Sequence, residues 1–134
     1  MSDTEAIAAI KARYCMAVDL CATDPEGARA AMAPLFTADA TADYGAGPVT
    51  GADAIAGFLA TNIAANSAWM LHMLHTPLIE VKGDAARCAW TVSAQFQRLG
   101  SPANDAIFGR YADTFQRGTD GTWRIASVRF QRVS

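Results

Sequence analysis

The sequence predicts an α+β domain, and three observations carry that prediction. Apolar residues recur at helical spacing through the first half of the chain and at strand-like spacing through the second. Four aromatic and β-branched stretches in the second half are joined by short links, which makes neighbouring strands antiparallel. With 134 residues, 51% hydrophobic and 18% charged, the chain is sized for one core, so a single domain over 1–134 is expected.

The first helix is expected from about Asp3 to Ala22, where Ile7, Ile10, Tyr14, Ala17, Val18 and Cys21 follow the helical period. A second begins in "TDPEGARAAMAPLF": Asp24 can cap it, Pro25 suits its first position, and Pro34 lies near its end. "TADATADYGAGPVTG" reads as a short hairpin with glycines at the turn. "TGADAIAGFLATNIAAN" is a third helix, with Thr50 as its cap and Asp53 three residues on.

"WMLHMLHTPLIEV", "AARCAWTVSAQFQRL", "AIFGRYADTFQR" and "TWRIASVRFQRV" are the strand candidates. Lys82-Gly83-Asp84 and Thr119-Asp120-Gly121 supply tight turns between them. Trp90, Val92, Ala94 and Phe96 alternate with Ala89, Thr91, Ser93 and Gln95. The second face is neither greasy nor charged. Helices on one side and a second copy of the chain on the other would satisfy it, so a homodimer through the outer sheet face is expected. Trp69, Trp90, Phe96, Phe108, Phe115 and Trp123 are expected in the core, some of them shaping a pocket.

Eleven basic residues against 13 acidic ones give a net charge of -2 with no basic run. That argues against nucleic acid or an anionic membrane as partner. The polar start "MSDTEAIAAIKAR" is unlike a secretory signal, and apolar stretches are broken within about ten residues, too short for a bilayer. A cytoplasmic location is the expectation. Cys15, Cys21 and Cys88 lack Cys-x-x-Cys spacing and read as reduced, buried thiols. Gly45-x-Gly47 has no third glycine at dinucleotide spacing, and no nucleophile-elbow or phosphate-loop pattern occurs.

Within "YCMAVDLCA", Asp19 is a lone carboxylate among apolar side chains. Burying it unpaired would cost several kcal/mol or force a proton onto it. On an ideal helix it projects away from the Ile7, Ile10, Tyr14 and Cys21 stripe, so only a helix packed on several sides would enclose it. The two histidines both lie in "WMLHMLHT". In a strand, residues three apart face opposite ways, so His72 would share a face with Met70, Leu74 and Thr76, and His75 with Leu71 and Met73. One metal site cannot easily use both, and none is expected. A carboxylate meeting an imidazole in an apolar cavity makes a general-base pair, while a lone histidine on such a strand is more often a hydrogen-bonded core or surface residue.

The order of elements and the phrases "RYCMAVD", "LFTADATADYG", "GADAIAGFL", "HMLHTPLIEVKGDAA" and "GRYADTFQRGTDGTWRI" resemble the SnoaL-like branch of the nuclear transport factor 2-like superfamily. The likeness runs from about Ile7 to Phe130. It implies a cone: a curved antiparallel sheet wrapped around the helices, with a deep apolar pocket at the open end. Similar members include polyketide cyclases, scytalone dehydratase and hexachlorocyclohexane dehydrochlorinase, with steroid isomerases more distant. In the dehydratase and dehydrochlorinase branches an Asp ending the first helix pairs with a His on the first long strand, and Asp19 and His72 stand at the matching positions. Thr76 replaces an Asn often found four residues after that His.

The resemblance therefore implies a cofactor-free lyase or isomerase of dehydratase, dehydrohalogenase or cyclase type, acting on a small apolar or cyclic molecule. Tyr14, Tyr44 and Tyr111 are candidates to donate to a developing oxyanion, or simply packed rings. Arg110, Arg124 and Arg129 come from late strands; rough alignment to the dehydrochlorinases favours Arg129 inside the cone, although a one-residue slip would flip its face. Trp90 is a further pocket candidate. Asp39, Asp43 and Asp113 read as structural or surface residues, and Cys88 as core. The rival reading is a non-catalytic ligand-binding or interaction module, because a fold alone does not select a function.

Overall fold

The computed structural model describes residues 1–134. Helix α1 spans Asp3–Leu20 and α2 spans Pro25–Met32, followed by a 3-10 turn at Ala33–Leu35. Strands β1 (Phe36–Asp43) and β2 (Pro48–Thr50) form a hairpin, and α3 (Ala52–Asn66) leads into β3 (Ser67–Lys82), β4 (Ala85–Arg98), β5 (Asn104–Arg117) and β6 (Trp123–Arg132). No helix is long and apolar enough to cross a membrane.

Local chemistry explains the boundaries. Ser2 and Glu5 form a reciprocal capping box that starts α1. Asp24 accepts from the Gly27 amide at 3.0 Å and Pro25 opens α2. The cap of α3 differs from expectation. Gly51, at φ 103°, takes that position without a side-chain bond, and Thr50 ends β2 instead. The left-handed turn needed to leave β2 favours glycine there over a side-chain cap.

The strand order is β2-β1-β6-β5-β4-β3 in one sheet. All pairings are antiparallel except β1 with β6, which run parallel, so the sheet is mixed rather than wholly antiparallel. This pairing carries the early hairpin onto the edge of the late meander, and the α3-to-β5 segment is the long connection that parallel neighbours need. The inner face follows strict alternation: Ala86, Cys88, Trp90, Val92, Ala94 and Phe96 of β4 are all buried, as are Tyr111, Asp113 and Phe115 of β5. Against it pack Ile7, Ile10, Tyr14 and Val18 of α1 and Ile55 and Leu59 of α3. Burial pushes the Cys15 and Cys88 thiols up to about 12 and that of Cys21 to about 11, and all three are free.

Two of the aromatics expected in the core are elsewhere. Phe108 is 51% exposed because it pairs with Ser93 on the outer face, one residue out of phase with inward Ile107. Trp69 pairs with outward Gln97 and donates to its Oε1 at 3.2 Å. Phe96, Phe115 and Trp123 are buried as expected.

Thr76 also departs from expectation. Between His75, paired with Thr91, and Leu78, paired with Ala89, two residues of β3 oppose Trp90 alone. At this bulge Thr76 has φ 44° and its hydroxyl meets that of Thr91 at 2.6 Å, on the outer side. It therefore does not share the face of His72. Pro77 is tolerated because β3 is an edge strand.

Candidate active site

Helix α1 buries Ile7, Ile10, Lys11, Tyr14, Cys15, Ala17 and Val18, a wide arc that reaches to Cys15, one turn before Asp19. Asp19 thus sits at the rim of the buried arc, against β3. Its carboxylate accepts from the His72 backbone amide at 3.0 and 3.2 Å and from His72 Nδ1 at 2.6 Å. The side chains are 19% and 9% exposed respectively. A carboxylate only accepts, so Nδ1 carries a proton and Nε2 is the ring nitrogen left to meet a substrate.

His72 lines an apolar cavity of about 200 Å³ together with Tyr14, Tyr44, Tyr111, Phe58 and Phe130 and seven further residues, all but one of the lining residues hydrophobic. An apolar cavity of about 150 Å³ holds benzene, so this volume is that of a single-ring molecule. Tyr14 and Tyr44 hydroxyls lie 2.6 Å apart. Two hydroxyls bring two hydrogens and this contact uses one, which leaves the other for a ligand oxygen. Burial pushes the phenols of Tyr14, Tyr44 and Tyr111 well up, so all three are protonated donors at neutral pH. Tyr44 stacks on Phe58 at 6.1 Å between ring centroids, and Tyr14 meets Tyr111 edge-on at 5.9 Å.

Two expected pocket residues are not in the cavity. Arg129 pairs with outward Ala112 and is exposed, while its neighbours Val128 and Phe130 face inward; the single-residue phase of the strand puts Phe130 in the cavity instead. Trp90 lies on the inner face but below the cavity, its Nε1 donating to Asp113 Oδ2 at 2.8 Å. Arg110 is exposed on the outer face, and Arg124 pairs with Asp120 at 2.8 Å. His75 faces outward beside Thr91 and Arg110. Asp39 is exposed, and Asp43 accepts from the Gly45 amide in the hairpin turn.

Asp113 is structural and wholly buried, and its partner was not anticipated. Lys11 Nζ approaches its two carboxylate oxygens at 3.1 and 3.0 Å, with both side chains 0% exposed. The signals were in the sequence: Lys11 lies one turn from Ile7 and from Tyr14, and Asp113 shares the inward phase of Tyr111 and Phe115.

A curved, mostly antiparallel sheet closed around three helices over an apolar cavity defines the cone fold of nuclear transport factor 2-like proteins. Residues 1–129 match the SnoaL-like domain, and the chain belongs to that family. Among solved structures it is similar to a candidate scytalone dehydratase from Novosphingobium aromaticivorans, at 22% identity and TM-score 0.82, covering 98% of this chain and 85% of that one. A nuclear transport factor 2-like protein from Salmonella enterica serovar Typhimurium matches at 21% identity and TM-score 0.83, covering 97% and 90%. A hexachlorocyclohexane dehydrochlorinase from Novosphingobium barchaimii matches at 18% and 0.82, covering 98% and 86%. At these identities the likeness is one of fold. No curated protein matches the chain.

Proposed function

We propose that this protein is a cofactor-free lyase or isomerase in which His72, oriented by Asp19, removes a proton from carbon in a small single-ring substrate. The observation that carries this reading is the 2.6 Å contact between Asp19 Oδ1 and His72 Nδ1 at the wall of an apolar cavity. The proton passes from the substrate carbon to Nε2. The C–H electron pair becomes a double bond as a leaving group departs with its bonding electrons, or moves onto a carbonyl oxygen as an enolate. Asp19 stabilises the imidazolium so formed, and the free hydroxyl of the Tyr14–Tyr44 pair donates to the developing charge. A positioned base of this kind contributes about 10²–10⁴-fold.

The solved neighbours described as a candidate scytalone dehydratase and a hexachlorocyclohexane dehydrochlorinase fit this reading, since both names denote eliminations. The cavity is open space rather than a plug of Trp and Met side chains, which favours chemistry over a closed interaction module. A second copy of the chain on the outer sheet face belongs to the same proposal: Leu71, Leu78, Phe108 and Val133 there are each more than half exposed. The test is a panel of single-ring β-hydroxy ketones, halocycloalkanes and enones assayed with the unaltered protein and His72→Ala. The reading expects turnover of at least one class, lost in the variant while it still folds. Binding without turnover across the panel would favour the ligand-binding module instead.

A further inference from the structure

None of the residues lining the cavity is a carboxylate, a lysine or an arginine. Moving an ion into such a space without a partner is strongly unfavourable, so a ligand held there keeps any charge of its own outside. Beside the cavity lies a second cleft of about 480 Å³. Tyr44, Ile107 and Phe130 line both spaces, so the cleft adjoins the cavity across these three side chains. Its charged members are Arg129 and Arg132 of β6 and Asp43 of β1.

Strand phase accounts for Arg132. It follows inward Val128 and Phe130 by even steps and pairs with buried Gly109, which puts it on the inner side of the sheet just past the cavity wall. At about 3.3 Å per residue, its Cα lies about 7 Å beyond that of Phe130. Arg129 borders the cleft because β1 ends at its partner Asp43 and leaves the flank of β6 uncovered from there on. Neither guanidinium has a carboxylate within ion-pairing distance, whereas those of Arg98, Arg117 and Arg124 do. Arg132 Nε donates to the Ser134 carbonyl oxygen, which leaves its two NH₂ groups free of protein partners. Asp43 Oδ1 accepts from the Gly45 amide at 2.8 Å. Two cations against one carboxylate thus flank a cavity that admits no charge.

We propose that Arg132 and Arg129 form a second subsite, which binds a carboxylate carried on a short arm by a ligand whose single ring fills the cavity. Apolar burial holds the ring, the arm passes Tyr44 and Phe130, and the guanidinium fork meets the two carboxylate oxygens in the solvated mouth. This rests on the proposed function only in placing a single-ring ligand in the cavity. It deepens that reading by adding an acidic arm to the substrate class.

The test is one of binding, by calorimetric titration of 3-phenylpropionate and 3-phenylpropanamide, which share ring, arm and size and differ in charge. The unaltered protein is expected to bind the carboxylate about fivefold more tightly than the amide. In Arg129→Gln combined with Arg132→Gln, both at exposed positions, the carboxylate should fall to the affinity of the amide while amide binding is unchanged. Equal affinities in the unaltered protein, binding of neither probe, a preference that survives in the double variant, or equal losses of both would overturn the proposal. Should the double variant not fold, the unaltered protein decides: raising the salt should weaken the carboxylate alone, and toluene should displace both probes. Carboxylate binding that ignores salt, or that persists under toluene, overturns it. Turnover is not read in these titrations, so failure of His72 as the base leaves every outcome unchanged.

Discussion

Replacing Asp19 by asparagine is the perturbation whose consequences the geometry defines most closely. The carboxylate accepts from two donors of one residue, the His72 amide at 3.0 and 3.2 Å and Nδ1 at 2.6 Å. One oxygen, Oδ1, already meets both Nδ1 and the amide, so asparagine's single carbonyl oxygen can keep both contacts, but as a neutral acceptor and with an NH₂ group where Oδ2 faces the amide. At 19% exposure the site is shielded enough for the lost charged contact to cost about 2 kcal/mol, a fall in melting temperature of roughly 6–10 °C. The larger effect falls on the base. With only a neutral amide oxygen against Nδ1, no negative charge stabilises the imidazolium that forms, and the loss should reach about 10²–10⁴-fold. The assay is exchange of the α-hydrogens of cyclohexanone for deuterium, followed by NMR, alongside a thermal melt. If the variant melts lower by the stated amount yet exchanges as fast as the unaltered protein, Asp19 is only a structural acceptor and the base reasoning is refuted.

Three further substitutions probe the framework. A Cβ at Gly109 would lie 2.6 Å from the Phe130 ring and 2.6 Å from the Gln131 carbonyl oxygen, so Gly109→Ala should cost about 1–3 kcal/mol and weaken toluene binding by displacing a lining ring, read by melting and titration. Thr76→Asn should raise stability by about 0.5–1 kcal/mol in a urea melt, because asparagine accepts the φ of 44° more readily than a β-branched residue, with the Thr91 contact as the opposing loss. If the proposed pairing through the outer face forms, the unaltered protein should scatter light as a dimer and Phe108→Glu, at 51% exposure there, as a monomer, with the melt of the folded unit within about 0.5 kcal/mol.

The boundaries of the helices and long strands were legible because their periods differ and their caps are local: Asp24 with Gly27, and Lys82-Gly83-Asp84 at a tight turn, act within a few residues. What was illegible is non-local or depends on single-residue phase. The parallel pairing of β1 with β6 joins segments from opposite ends of the chain, and no local pattern encodes it. Arg129 and Phe130 differ by one position, and the strand phase decides which enters the cavity. The bulge at Thr76 shifts the phase again within β3. Asp19 and His72, 53 positions apart, were brought together by resemblance to a family and not by periodicity, which placed Asp19 off the main apolar stripe. Lys11 was overlooked because a lysine within an apolar stripe usually extends its ammonium to water, and only the tertiary partner Asp113 makes it a buried ion.

The most direct measurement of the central claim is the tautomer of His72, read from the nitrogen NMR shifts and proton couplings of its ring, with His75→Gln removing the only other histidine. The account predicts that the neutral ring carries its proton on Nδ1, coupled to the Asp19 carboxylate, with a bare Nε2 whose shift responds to a ligand in the cavity. A proton found on Nε2 with Nδ1 bare, or ring signals averaged like those of a solvent-exposed histidine, would contradict it.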